Sequence, residues 1–149
     1  MPTLDPVGEY LTRVWRDGVY PLADKLGVIM KLPPVQPRSR LGHEAAKWAT
    51  TVNRFDDYNE AVFRAFFERG ENIGEVEVLV KLAEQLELDA EELRRALTQR
   101  EFEEHVVADE RAAAALGVHA VPAFVANGRA ALSGVQPTSA LAALLARAI

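Results

Sequence analysis

Few stretches of this 149-residue chain set reactive side chains at useful spacing. One is His119-Ala120-Val121-Pro122, which leads into the apolar run AFVANGRAAL. A histidine three residues before a proline can act as a proton donor or a ligand. Neither a second histidine nor a carboxylate lies close in sequence to complete a catalytic pair, so a loop histidine is the plainer expectation. Glu101, His105 and Asp109 recur at four-residue steps, the spacing of one helix face, which suits a divalent cation. Glu104 and Glu110 crowd the same region, however, and such charge runs are usually solvated, so no metal is expected. Arg38-Ser39-Arg40, with Lys31 nearby, is the compact basic spot. Arginines there could meet an anionic ligand, although helix-start capping is the readier job for Ser39.

Cysteine is absent from the chain. That excludes structural disulfides, thiolate metal sites, cysteine nucleophiles and dithiol redox chemistry by this chain alone. There is also no glycine-rich phosphate loop, no Ser-x-x-Lys, no Gly-x-Ser-x-Gly and no His-Glu-x-x-His.

The elements that position these residues follow from composition and period. At 49% hydrophobic and 26% charged, the chain is globular and long enough for one ordinary domain. A net charge of -5 disfavours nucleic acid and anionic membrane surfaces. The absence of a long apolar run argues against a spanning helix. The opening MPTLDPVGEYL has neither the basic nor the apolar region of a secretory signal, so a cytoplasmic setting is expected.

Most of the chain reads as helix. Helical spacing runs over Asp5–Arg16, with Tyr10, Leu11, Val14 and Trp15 on one side and Gly18 as an interruption. Pro21 opens a short helix closed by Gly27. KLPPVQP, Lys31 to Pro37, is a loop because its prolines remove donors and restrict their neighbours. Helices are expected from Ser39 or Arg40 to Thr51, Phe55 to Arg69, Glu75 to Leu86, Asp89 to Leu97 and Arg100 to Leu116. Leu41, Ala45, Trp48 and Ala49 should face inward, and Asp89-x-x-Glu92 resembles a capping box. Phe55–Arg69 is apolar nearly all round, with Phe63 and Phe67 added to Val62 and Phe66. Such a helix implies either a central place or a subunit interface. The period then changes: Pro122–Ala126 and Arg129–Leu132 read as strands joined at Asn127-Gly128, and Thr138–Ala148 as a last apolar helix.

Three stretches carry a resemblance: LPPVQPRSRLGHEAAKWA, YNEAVFRAFFERGENIGEVEVL and DERAAAALGVHAVPAFVANGRAALSGVQP. In order and spacing the chain resembles the DsbA family of thioredoxin-like proteins, in its FrnE-like and 2-hydroxychromene-2-carboxylate isomerase-like branch. The resemblance implies that the first two stretches belong to a helical insertion. The third then corresponds to a cis-proline loop, hairpin and final helix. It also implies that Val121–Pro122 is cis, and that the backbone beside it pairs with an extended substrate like an added strand. The departure is large. A family member would begin with a strand, a Cys-x-x-Cys loop and helix and a second strand, and this chain is expected to start after them. In the isomerase-like relatives a serine replaces the attacking cysteine and glutathione is the cofactor, but that serine would fall in the same segment, and Ser39 does not correspond to it.

The fold expected is α+β and mostly helical: a helical insertion region over residues 1–116 plus an incomplete thioredoxin-like β-β-α unit over 117–149. No cofactor is expected. A two-stranded hairpin is marginal alone and has an unprotected edge. A homodimer covering that edge or the last helix is therefore expected, with a peptide or small ligand at His119, Ala120, Val121 and Pro122. Function is expected to be redox-inert binding. The alternative is a truncated or split disulfide oxidoreductase, or a glutathione-dependent isomerase-like enzyme, that needs a segment from elsewhere.

Overall fold

A computed structural model describes residues 8–128 and 130–147. The described chain is mostly helical, with one two-stranded antiparallel sheet, as the α+β expectation required. It divides into two compact units, residues up to Val106 and residues from Val107 onward. No described helix is long and apolar enough to cross a membrane.

The first unit begins with α1 (Glu9–Val14), which passes without a break through a π-helical turn (Trp15–Val19) into α2 (Tyr20–Leu26). Gly18 therefore does not interrupt the helix. The wide π turn carries it through, while Trp15 holds the segment by edge-on contact with Tyr20 at 5.6 Å and a tilted contact with Phe67 at 6.4 Å. Gly27 ends α2 in the left-handed region, with the Val28 N–H returning to the Ala23 carbonyl. The proline-rich stretch follows as a loop, whose Lys31 N–H bonds the Phe67 carbonyl at 2.8 Å.

Helices α3 (Arg40–Thr51), α4 (Phe55–Phe67), α5 (Val76–Gln85) and α6 (Ala90–Gln99) make the core. Ala45, Trp48 and Ala49 of α3 meet Tyr58 and Ala65 of α4, Leu79 and Leu82 of α5, and Leu93 and Leu97 of α6. The spacing read from the sequence for α3 thus points into the core, with Leu41 half-buried beside it. The Tyr58 hydroxyl donates to the Leu79 carbonyl at 2.8 Å, and Trp48 packs edge-on to Tyr58. Helix α6 opens as expected, with the Asp89 carboxylate accepting the Glu92 N–H at 2.8 Å. Ser39 occupies the corresponding position before α3 but makes no capping bond through its side chain. Gly70 closes the α4 region at φ 68°, where a Cβ would meet Pro34 Cδ at 2.9 Å.

Two further expectations change. Helix α7 starts at Glu103 rather than Arg100, because Arg100 adopts a left-handed conformation that ends α6. Helix α4 is not wrapped on two sides within its unit: Phe63 is 52% exposed, so a central place is excluded.

The second unit holds the rest of α7 (Glu103–Ala115), strands β1 (Ala123–Ala126) and β2 (Ala130–Ser133), and α8 (Thr138–Arg147). Gly117 ends α7 in the left-handed region, with the Val118 N–H on the Ala113 carbonyl. Asn127 and Gly128 both have positive φ, which is why Asn-Gly serves at this turn. Arg129, expected to open the second strand, lies outside the described residues. Helix α8 lies against both strands, and its Leu144 and β1's Ala126 are buried.

Candidate functional site

His119, Ala120, Val121 and Pro122 form one exposed stretch that enters β1. The Val121 side chain is 88% exposed, and the Val121–Pro122 peptide is cis. The Gly134 N–H donates to the Pro122 carbonyl at 2.8 Å, which fixes the polarity of the strand that follows. The register sets Ala123 opposite Ser133, Phe124 opposite Leu132, Val125 opposite Ala131 and Ala126 opposite Ala130. Hydrogen-bonded and non-hydrogen-bonded pairs alternate along an antiparallel ladder. Because Pro122 bonds Gly134, Phe124 and Ala126 bond inward too, while the backbone groups of Ala123 and Val125 turn away from β2. Among the described residues no third strand meets that edge. Val125, 40% exposed, stands beside it.

This edge can bind an extended chain through main-chain hydrogen bonds. It brings no thiol to such a chain. His119 sits exposed, and the chain contains no cysteine.

The other sequence candidates do not converge. Glu101 lies in the turn before α7, off the helix that carries His105 and Asp109. Among the described residues no group of three acidic, histidine or cysteine side chains is placed to hold a metal ion. In the basic triplet, Arg40 reaches Glu103 at 3.8 Å. The first unit carries two surface cavities. One of about 550 Å³ sits at the α3–α4 turn, around Asn53, Phe55 and Asp56. The other, of about 300 Å³, lies beside α4 between Ile29 and Phe63.

One charged group escaped the sequence reading. Glu44 is fully buried on α3, and the Arg100 guanidinium approaches it to 2.7 Å. Neither carboxylate oxygen has an aligned hydrogen-bond donor, and the neighbouring Trp48 indole N–H also lacks an acceptor. We therefore read the pairing as charge attraction. Burial pushes the Glu44 carboxyl up, Arg100 pulls it part of the way back, and the charges of Glu103 and Arg40 act in opposite senses. The signal was present in the sequence: Leu41, Glu44, Ala45 and Trp48 share one helix face at helical spacing, with the acid inside the apolar stripe.

The chain is similar to the uncharacterized protein YwbO of Bacillus subtilis (strain 168), at 37% identity over 106 residues. That alignment takes in 69% of this chain and 53% of the relative. The fold matches the crystal structure of the probable DsbA oxidoreductase SCO1869 from Streptomyces coelicolor, with a TM-score of 0.81 and 27% identity. The match covers 95% of this chain and 62% of that one. The chain thus spans about half to three-fifths of the length of these relatives. The description "DSBA-like thioredoxin domain" matches residues 14–146, and by that match over most of its length the chain belongs to the DSBA-like thioredoxin domain family.

Proposed function

We propose that this chain is a redox-inert binding module that takes an extended polypeptide along the outer edge of β1, beside Val121–Pro122. The observation that carries the reading is the outward-facing backbone of Ala123 and Val125 on a two-stranded sheet. An added strand satisfies those groups, and the exposed Val121 and Val125 supply apolar contact to alternate side chains of the ligand. Thiol–disulfide exchange requires an attacking thiolate, which a chain without cysteine cannot offer. Within the family, the order and spacing of the three matching stretches favour the FrnE-like and 2-hydroxychromene-2-carboxylate isomerase-like branch.

The test is fluorescence anisotropy with a labelled peptide of alternating valine and threonine. Saturable binding is expected. Val125→Pro should abolish it, because proline removes an outward N–H while leaving the β2 ladder alone. Binding that survives Val125→Pro in a folded protein refutes the edge.

A second reading is favoured by the chain spanning only part of its relatives. In it, a separate segment bearing Cys-x-x-Cys completes a disulfide oxidoreductase or a glutathione-dependent isomerase-like enzyme. Insulin reduction by the pure chain should stay at background, and turnover above background overturns the inert reading; turnover that appears only when a Cys-x-x-Cys segment is added supports the second.

A further inference from the structure

We infer that the exposed face of α4 is a self-association surface, and that its occupant is a second copy of this chain packed through an antiparallel α4–α4 contact. Along one face of α4 run Glu60, Phe63, Arg64, Phe67 and Glu68, beside the cavity of about 300 Å³ closed on its other side by Val28, Ile29 and Met30. Ile29 is 64% and Phe63 52% exposed. Phe63 and Phe67 stack with ring centroids 6.0 Å apart. A protruding apolar side chain and a cavity on the same patch are what a two-fold, self-complementary contact needs.

Charge order selects the partner. Glu60, Arg64 and Glu68 alternate in sign at four-residue steps. Two such stripes laid antiparallel about an axis level with Val62 would set each Arg64 against Glu60 of the other copy but each Glu68 against Asp56, so that register is disfavoured. An axis level with Phe66 sets Arg64 against Glu68 and Glu60 against the neutral Asn72. This register pairs opposite charges twice and keeps Phe63 and Phe67 inside the contact. The Arg64–Glu60 pair within one chain, 2.9 Å apart, is solvent-exposed and weak, so it can be shared across the axis. This surface is distinct from the β1 edge, and its test does not depend on peptide binding there.

Sedimentation equilibrium across the micromolar range gives the readout, with circular dichroism confirming that each variant is folded. The natural chain should be a dimer. Arg64→Glu makes the stripe uniformly acidic and should weaken the dimer at least about tenfold. The triple reversal Glu60→Arg, Arg64→Glu, Glu68→Arg restores the alternation and should restore dimerisation. Phe63→Asp should give a monomer, and Val125→Pro should leave the dimer intact. A monomer throughout the range overturns the proposal. So does a dimer that ignores both Arg64→Glu and Phe63→Asp, or one lost on Val125→Pro, which would place the contact at the hairpin edge. A folded triple reversal that stays monomeric overturns it as well.

Discussion

Removing Arg100 should steepen the dependence of this protein's stability on pH through one buried carboxyl, Glu44. Arg100→Ala leaves Glu44 fully buried without the guanidinium that lies 2.7 Å from it. A buried, unpaired carboxylate is costly enough that the group takes up a proton instead. Neutralising a glutamate whose unfolded value is about 4.3 costs about 4 kcal/mol at about pH 7 and about 1 kcal/mol at about pH 5. These are ceilings. Burial already holds the wild-type carboxyl above the ordinary range, and Arg100 is partly exposed, so part of the cost is present before the substitution. The expected loss is therefore about 2–3 kcal/mol at about pH 7, shrinking to less than about 1 kcal/mol at about pH 5. The sign follows from linkage. The folded carboxyl binds its proton more tightly than the unfolded one, so stability is greatest on the acid side. It falls as pH rises from the ordinary glutamate value to the raised folded value. Urea denaturation followed by tryptophan fluorescence, with Trp48 buried in the core, measures both values. The double variant Glu44→Gln, Arg100→Ala has no carboxyl at this site and should lose the extra pH dependence. Glu103, which also loses its bond to Arg100, and Arg40 are the same in both Arg100→Ala variants and so cancel between them. An Arg100→Ala penalty equal at the two pH values, or persisting unchanged in the double variant, would refute the reasoning.

Two further substitutions test the helical core. Gly70→Ala meets both a positive φ and a 2.9 Å approach to Pro34, and should cost about 1–3 kcal/mol by denaturant unfolding, with the loop over Lys31–Pro37 losing hydrogen-exchange protection first. Tyr58→Phe removes the donor to the Leu79 carbonyl inside the core and should cost about 1–2 kcal/mol in thermal or urea unfolding; a neutral result would mean that this hydroxyl contributes nothing there.

Periodicity made the helices legible. The apolar stripe of α3, the Asp89 cap and the glycine after α2 were each set by local chemistry, and the structure follows them. The Asn127-Gly128 turn was legible for the same reason, since few residues tolerate positive φ at both positions. What escaped depends on non-local contacts. Gly18 looks like a breaker in isolation, yet the helix passes it because Trp15 is held by Phe67, far along the chain. Arg100 looks helical by propensity, but it turns left-handed and pairs with Glu44 across the core. The outward edge of β1 was half legible. A lone hairpin could be inferred, but which backbone groups face out depends on one bond, from Gly134 to Pro122.

The two exposed features differ in physical kind, and that difference assigns them different occupants. The α4 face is side-chain surface: aromatic rings and alternating charges on a helix whose backbone bonds are already made. Its recognition must come from shape and charge, and the alternation of sign fits a copy of itself. The β1 edge is main-chain surface, and unpaired N–H and C=O groups accept almost any extended chain of the right length. A ligand there adds stability in proportion to the logarithm of its concentration over its dissociation constant, entering where the sheet has fewest contacts of its own. A surface that discriminates poorly suits a module handling many unfolded or extended partners. On the proposed reading, self-recognition through α4 would use none of the β1 edge's residues, so assembly and strand addition can be tested independently.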